Sequence, residues 1–462
     1  MKTSIVILTY NQWDLTKKCF DSILKYTNMD EVEMIIIDNG STDGTRDHLS
    51  DFPSFKVVLN EENKGFAGGC NQGLEIATGD NVLFLNNDTI VTENWLDSMI
   101  SLLYSKEAVG MVGPVSNYVS GGQCIPFDYT DISGIDAFAT CYCAENKGKS
   151  KRVLRLVGFC LLAKKSVLDK VGGFDERYGY GSFEDDDLCV RTVSAGYQLR
   201  IALDSFVHHH GHATFTGNQI NMNHLYFENR ARYKEKWGMD LTYYTYPRPE
   251  IVAIVPDDAK RILDVGCGAG ATGLEIMNRN IGSEVYGIEI NDFVANLAKN
   301  HYKSVESTDV ETLDLPFPTE YFDVILCNDV LEHLRDPWNV VRKLATHLKP
   351  SGYIIGSIPN ITHTEAILPL MLGSFPYVDA GILDRTHLRF FTPQTVHTLF
   401  PADIFESFSP TYVTIPPDAT TNIFFTAVSQ LAKQFGYQMD QFAEYSSIYQ
   451  MIVKVKKREV EE

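Results

Sequence analysis

The chain has 462 residues, 44% hydrophobic and 22% charged, enough for two or three domains of ordinary globular composition. Forty Lys and Arg against sixty Asp and Glu give a formal net charge of -20, which argues against non-specific binding to nucleic acid or an anionic membrane. Nine scattered cysteines without paired CxxC spacing read as reduced thiols, and no apolar run approaches the roughly 18 residues of a membrane span. The expectation is a cytoplasmic protein, or one peripheral at the inner face of a membrane, with no integral membrane segment.

In chain order, Ser4 to Leu8 is a continuous apolar strand ending at Thr9-Tyr10-Asn11. A helix comes next with Leu15, Cys19, Ile23 and Leu24 on one face. Met34 to Ile37 is the next buried strand and ends at Asp38, before the turn-rich NGSTDGT. Val57 and Val58 mark a third strand, and NEENKGFAGGCN leads into a helix to about Ala77. Val82 to Leu85 is a fourth strand, ending in Asn86-Asn87-Asp88-Thr89. Polar residues collect where strands stop, which is where open α/β sheets bind ligands.

Val115 to Arg152 reads as irregular, and Val157 to Leu162 as a buried strand. Glu184-Asp185-Asp186-Asp187 opens a helix carrying Leu188, Val190 and Val193. Four acids in a first turn are favourable by the helix dipole alone, so capping competes with a catalytic role. Mutual repulsion opposes their full ionisation unless a cation or proton donor is near. FVHHHGHAT, Phe206 to Thr214, comes after a short strand, and a helix around Tyr226 to Trp237 closes the first half. Met239 to Glu250 has no apolar period and carries Pro247 and Pro249, so it reads as a linker without regular helix. A short helix, Glu250 to Val255, is expected to pack on the second domain.

The second half opens on RILDVGCGAG, Arg261 to Gly270: a buried strand running into a glycine-rich turn. Such a turn presents backbone amides and a helix N-terminus to a ligand. The strand Val285 to Ile288 ends in Glu289, an acid about 20 residues past the glycines and suited to ribose hydroxyls. Asp309 closes a third strand region, YFDVILCN from Tyr321 to Asn328 is a fourth strand, and Asp336-Pro337 caps a helix that Lys349 to Gly352 ends. The glycine spacing alone fits both a methyltransferase and a dinucleotide turn. Glu332 and His333 read as a helix N-terminal turn, and His387 as an acceptor-pocket or structural residue. A late strand lies in SIYQMIVKVKK.

The motifs SIVILTYN, IIIDNGSTDGT, NKGFAGGCNQG, LFLNNDT and GGFDERYGYGSFEDDDLCVR resemble glycosyltransferase family 2, in its rhamnosyltransferase-like branch, over residues 1 to about 240. The resemblance implies a GT-A fold in which Thr9, Asn11, Asp38 and Asp43 hold the nucleotide of a sugar donor. The stretch 86–88 takes the place of the family's metal-binding acid triplet, with Asn87 and Asp88 at the donor, Asn86 in place of the first acid and Asp88 the one carboxylate. His209 is implied as the second ligand of a divalent cation, Mn or Mg, and Asp185 as the catalytic base. Similarly, LDVGCGAG, GIEI, TDVETLDLPFP, FDVILCNDVLEHLRDP and LKPSGYIIGSIPN look like a class I S-adenosylmethionine-dependent methyltransferase over about 260 to 400. That implies a Rossmann-like fold in which Gly266, Gly268 and Gly270 approach the methionine part of the cofactor and Asp264 supports the loop. Glu289 would hold the ribose and Asp309 meet the adenine, with Asn328 and Asp329 beside the transferable methyl.

The expectation is therefore a two-domain α/β enzyme, 1–245 and 250–462, acting in glycan biosynthesis. It would transfer a sugar with inversion from a nucleotide-diphosphate donor to a glycan, lipid-linked or protein acceptor. It would also methylate a hydroxyl, plausibly a sugar's, with S-adenosyl-L-methionine. The rival readings keep one domain as a recognition module, or make the chain a scaffold in a glycan-assembly complex. Intact ligand residues in both halves weigh against the scaffold.

Overall fold

A computed structural model describes residues 1–211 and 222–459. His212 to Thr214, the end of the histidine-bearing segment, lie outside the described residues. The chain divides into two compact units, Met1–Thr245 and Tyr246–Glu462.

Among the described residues, the first unit holds β1 (Thr3–Thr9), β2 (Val32–Asp38), β3 (Lys56–Leu59), β4 (Asn81–Asn86), β5 (Thr89–Val91), β6 (Val109–Val115), β7 (Ser150–Val153), β8 (Cys160–Lys164) and β9 (Gln198–His209). They form one sheet in the order β3-β2-β1-β4-β8-β6-β9-β5, with β7 on the flank of β9. β1 to β4 run parallel, and β8 is antiparallel to β4. Helices cover these strands, so both faces are dry and the strands read as unbroken apolar runs such as Ile35 to Ile37. The register places Thr9 opposite Asp38 and Leu8 opposite Asn86, which brings three polar strand ends to one edge.

Several local expectations shift. The helix Trp13–Tyr26 buries Thr16, Cys19, Phe20 and Ile23, while Leu24 is exposed. The strand expected at 157–162 begins at Cys160, because Val157 N–H donates to Gln123 and Gly158 N–H to Asp185. β9 is a twelve-residue strand that contains Phe206 to His209, so the histidines do not come after a short strand. The region 115–152 is not wholly irregular, since it carries the helix Ile135–Glu145 and β7. Pro247 and Pro249 do not keep helix out of the linker. Leu241–Thr245 is helical before them, and Pro249 takes the first turn of Pro249–Val252, where its missing N–H costs nothing.

The second unit holds β10 (Arg261–Val265), β11 (Glu284–Glu289), β12 (Ser304–Ser307), β13 (Phe322–Asn328), β14 (Leu348–Pro359), β15 (Thr411–Thr414) and β16 (Ile448–Lys456). Their order is β12-β11-β10-β13-β14-β16-β15, parallel from β10 to β14, with β16 antiparallel to both β14 and β15. The order reverses direction beside β10, so β10 and β13 flank the switch point at which such sheets bind ligands. The helix Pro337–His347 ends before Lys349 to Gly352, which lie within β14 as an irregularity between the Phe322 and Val324 pairings. The two units are a GT-A fold and a Rossmann-like methyltransferase fold.

Candidate active sites

In the first unit the nucleotide candidates are held by one another. Asp38, fully buried, accepts from Thr9 Oγ1 at 3.3 Å, from the Ser41 amide at 3.1 Å and from Arg46 Nε at 2.7 Å. The carboxylate thereby shapes the loop after β2. Asn11 adopts a left-handed backbone (φ 54°), accepts from the Thr42 amide at 2.8 Å and donates its own amide to Ser41 Oγ at 2.8 Å. Asp43 accepts from Thr45 and from the Trp13 amide; burial opposes its ionisation, and these hydrogen bonds outweigh burial and hold it below the usual carboxylate range. Thr9, Asn11, Asp38 and Asp43 thus form one pre-shaped rim at the ends of β1 and β2. Asn87 differs: it is buried and donates to Thr16 Oγ1 at 2.9 Å, tying the strand end to the first helix.

Pairing of β5 with β9 sets Thr89 opposite His209 and carries Asp88 to the same place. His209 Nε2 lies 3.2 Å from Asp88 Oδ1, and both side chains are nearly buried. His209 Nδ1 sits 2.8 Å from the carbonyl of Tyr118, which can only accept, so Nδ1 carries the hydrogen. Burial works against the charged form of each partner, yet their mutual hydrogen bond and charge win, lowering Asp88 and raising His209. Asn86 Nδ2 is 3.4 Å from the same His209 Nε2. A carboxylate and an imidazole whose far nitrogen is anchored to a carbonyl match the donor set of a divalent-cation site with its outer support.

The four acids of helix Glu184–Ser194 separate by environment. Asp187 is fully buried and paired with Arg191 at 2.8 Å, Lys236 at 2.6 Å and Trp237 Nε1 at 3.1 Å. Asp186 pairs with Arg155, and burial pushes its pKa up to about 6 against the pull of that guanidinium. Asp185 accepts from the Gly158 amide and from the Asp186 amide, each at 2.8 Å. Glu184 is buried, its Oε2 is unpartnered among the described residues, and burial with the Asp185 charge drives its pKa well up. Capping is therefore not a shared role. Asp186 and Asp187 are structural ion pairs, burial disfavours the charged form of Glu184, and the side chain of Asp185 is fixed by backbone amides. Gly158 leads into Phe159, whose ring stacks on His209 at 5.1 Å, so one turn supports both Asp185 and His209.

In the second unit the loop after β10 turns through three left-handed glycines, Gly266 (φ 67°), Gly268 (φ 53°) and Gly270 (φ 84°). A Cβ on Gly266 would stand 2.3 Å from Val330 Cγ2, so close packing demands glycine there as well. Glu289, at the end of β11, accepts from the Gly268 amide at 2.8 Å and the Asn291 amide at 2.9 Å. Asp264 accepts from Tyr302 Oη at 2.7 Å, and burial, with the Glu289 charge adding, raises it to about 7. Asp309 lies beyond β12 and accepts from the Glu311 amide at 2.8 Å. Asn328 ends β13 with a buried Oδ1 that is unpartnered among the described residues, and Asp329 is next in the chain with a left-handed backbone (φ 52°).

Asp329 is engaged by a residue that sequence reading placed in a linker. Arg248 ion-pairs with it, and also reaches Gln450 at 2.6 Å and Glu250 at 2.6 Å, while Ser357 Oγ donates to Asp329 at 2.9 Å. No sequence signal marks Arg248, because Asp329 and Gln450 lie far along the chain from it.

These sheet orders and sites define a nucleotide-sugar transferase-like unit succeeded by a methyltransferase-like unit. Residues 4–170 match Glycosyl transferase family 2, and residues 239–402 match a Methyltransferase domain. The chain is 27% identical over 208 residues to "Glycosyltransferase AglE" of Haloferax volcanii, which covers 44% of this chain and 64% of that protein. It is 37% identical over 111 residues to "Ubiquinone biosynthesis O-methyltransferase" of Thiobacillus denitrificans, covering 23% of this chain and 47% of that protein. The chain thus spans under two thirds of each of these relatives. Among solved structures it is similar to "Mannosyltransferase PcManGT from Pyrobaculum calidifontis in complex with GDP-Man and Mn2+", at 22% identity and a TM-score of 0.34 over 45% of this chain and 56% of that one.

Proposed function

We propose that the chain is a bifunctional enzyme of glycan biosynthesis. The first unit transfers a sugar, with inversion, from a nucleotide-diphosphate donor to an acceptor hydroxyl on a glycan, lipid or protein. The second methylates a hydroxyl, in our reading a sugar's, with S-adenosylmethionine. The observation that carries the first reading is the Asp88–His209 pair at the same strand edge as the amide-held Asp185 carboxylate. Thr9, Asn11, Asp38 and Asp43 form the rim that receives the nucleotide. Asp88 and His209 would hold a divalent cation, Mn or Mg, which offsets the charge of the departing diphosphate. Asp185 takes the proton from the acceptor hydroxyl as that oxygen attacks the anomeric carbon. Its two amide donors hold the carboxylate aimed without consuming all its lone pairs.

In the second unit, Gly266, Gly268 and Gly270 admit the methionine end of the cofactor, Asp264 buttresses the loop through Tyr302, and Glu289 receives the ribose. Asp309 takes the adenine side, and Asn328 lies nearest the acceptor. Methyl transfer from a sulfonium is chiefly a matter of positioning, which fits a site whose side chains are already locked. We place the boundary between the activities near Thr245, and the enzyme in the cytoplasm or at the inner membrane face. Among the described residues no helix is long and apolar enough to cross a membrane. Incubation with a panel of nucleotide-diphosphate sugars and Mn2+, and separately with S-adenosylmethionine, tests the reading by mass spectrometry of the acceptor. Failure to consume any donor would remove the first activity, and failure to form S-adenosylhomocysteine the second.

A further inference from the structure

The second unit holds a side-chain cluster that the proposed methyl-transfer chemistry does not use. Glu332 is 1% exposed, and among the described residues neither of its carboxylate oxygens has a hydrogen-bond partner. His333 is its chain neighbour, and His387 is brought over it by two backbone bonds, from the Leu388 and Arg389 amides to the Glu332 carbonyl at 2.8 and 3.0 Å. The two imidazoles meet edge to face at 4.7 Å. One ligand atom from each of the three residues lies within 4.8 Å of the other two.

The hydrogen bonds fix where the ring protons are. His387 Nδ1 is 3.0 Å from the Ile382 carbonyl, which only accepts, so Nδ1 carries the hydrogen and Nε2 of the neutral ring is a lone pair. Thr386 has one hydroxyl hydrogen and gives it to Asp384 Oδ1 at 2.6 Å. Its oxygen therefore accepts from His333 Nδ1 at 3.0 Å, which leaves His333 with its own lone pair on Nε2. His387 Nε2 stands 4.0 Å from Glu332 Oε1, too far for a hydrogen bond. Two imidazole lone pairs and a buried, unpartnered carboxylate share one small space. Acceptors gathered this way repel one another unless a cation lies between them, and each histidine already has the outer N–H partner that metal-bound histidines use.

We propose that Glu332, His333 and His387 bind a divalent transition-metal ion, of which zinc is the best match. Two nitrogen ligands and one oxygen favour zinc and its neighbours over Mg2+ or Ca2+, which prefer all-oxygen shells. Metal–ligand bonds of about 2.0–2.2 Å would draw the three side chains inward by roughly 1 Å. Three protein ligands leave at least one position open for an exogenous oxygen. The triad begins a few residues after Asn328 and Asp329 at the end of β13, so the open position is suited to a hydroxyl of the methyl acceptor, whose pKa the ion would lower. That role rests on the methyl-transfer reading; the metal binding does not.

The test uses the full chain carrying Asp88→Asn and His209→Ala, which removes the cation site proposed in the first unit. Equilibrium dialysis against Zn2+ and Mg2+, read by elemental analysis, is expected to give one zinc per chain and no retained magnesium. Adding Glu332→Gln, His333→Ala or His387→Ala should each weaken zinc by at least about tenfold, with circular dichroism and S-adenosylhomocysteine binding showing that the unit is folded. No zinc in the parent, or zinc unaffected by all three substitutions, overturns the proposal and leaves Glu332 a buried neutral acid. Zinc bound by the parent without any S-adenosylhomocysteine binding would keep the metal site and remove the methyl-transfer reading instead.

Discussion

His209 Nε2 and Asp88 Oδ1 stand 3.2 Å apart because β5 and β9 pair in a register that sets Thr89 opposite His209. Three strands and several helices intervene in the chain, so this proximity is a product of the sheet, not of local sequence. Either substitution, Asp88→Asn or His209→Ala, should weaken Mn2+-dependent binding of a nucleoside diphosphate by at least about tenfold. Titration calorimetry with and without Mn2+ checks this. Equal binding in both variants and the parent would remove the pair from the metal site.

The acid cluster should split by function. Asp185→Asn keeps the shape and removes the proton acceptor, so sugar transfer is expected to fall about 10²–10⁴-fold with the melting temperature little changed. Asp187→Asn should do the reverse: it removes the buried negative charge that Arg191 and Lys236 share and costs on the order of 3 kcal/mol of stability. Glu184→Gln should be mild on both counts, because burial and the neighbouring Asp185 charge already disfavour the charged form of this carboxyl. Parallel rates and melting curves for the three variants decide it, and equal losses across them would contradict the division of labour.

Asp264 makes stability depend on pH. Its folded pKa is about 7 against roughly 3.9 in an unfolded chain. Between those values the folded state keeps a proton that the unfolded state releases, so stability falls as pH rises from about 4 to 7 and then levels off. Asp264→Asn removes a penalty of at most about 4 kcal/mol. The variant's gain in melting temperature over the parent should therefore be larger at pH 8 than at pH 5. An equal gain at both would show that the carboxyl is ionised throughout.

Arg248 sets the useful start of the second unit. A fragment 246–462 keeps its pair with Asp329 and its bond to Gln450, whereas 250–462 loses both. The shorter fragment should be less stable by about 2 kcal/mol, read by urea denaturation. Indistinguishable midpoints would make Arg248 a surface residue of no consequence.

Legibility in the sequence depended on range. Ile35 to Ile37 and Val324 to Leu326 are buried on both faces, so apolar continuity alone revealed them as strands of an α/β sheet. Glu289 was found because its partner, the Gly268 amide, belongs to the preceding turn of the same unit. His209 was reached only through a family resemblance, since nothing local joins it to Asp88. Arg248 was hidden in a proline-bearing stretch, and its engagement of Asp329 depends on the folded sheet. Glu332 and His387 read as ordinary residues singly, because what distinguishes them is the unpartnered carboxylate that only their juxtaposition exposes. The strand misplaced at 157 failed for a similar reason: Gln123 and Asp185, both remote, take its first amides.

The central claim, two independent transferase sites in one chain, is tested most directly by ligand binding to the full-length protein and two variants. Calorimetry would measure a nucleoside diphosphate with Mn2+, and S-adenosylhomocysteine, against the parent, Asp88→Asn with His209→Ala, and Glu289→Ala. The parent is expected to bind both ligands, the first variant to lose only the nucleotide, and the second to lose only S-adenosylhomocysteine. A parent that binds neither, or a second unit that takes a nicotinamide dinucleotide in preference to S-adenosylhomocysteine, would contradict the claim.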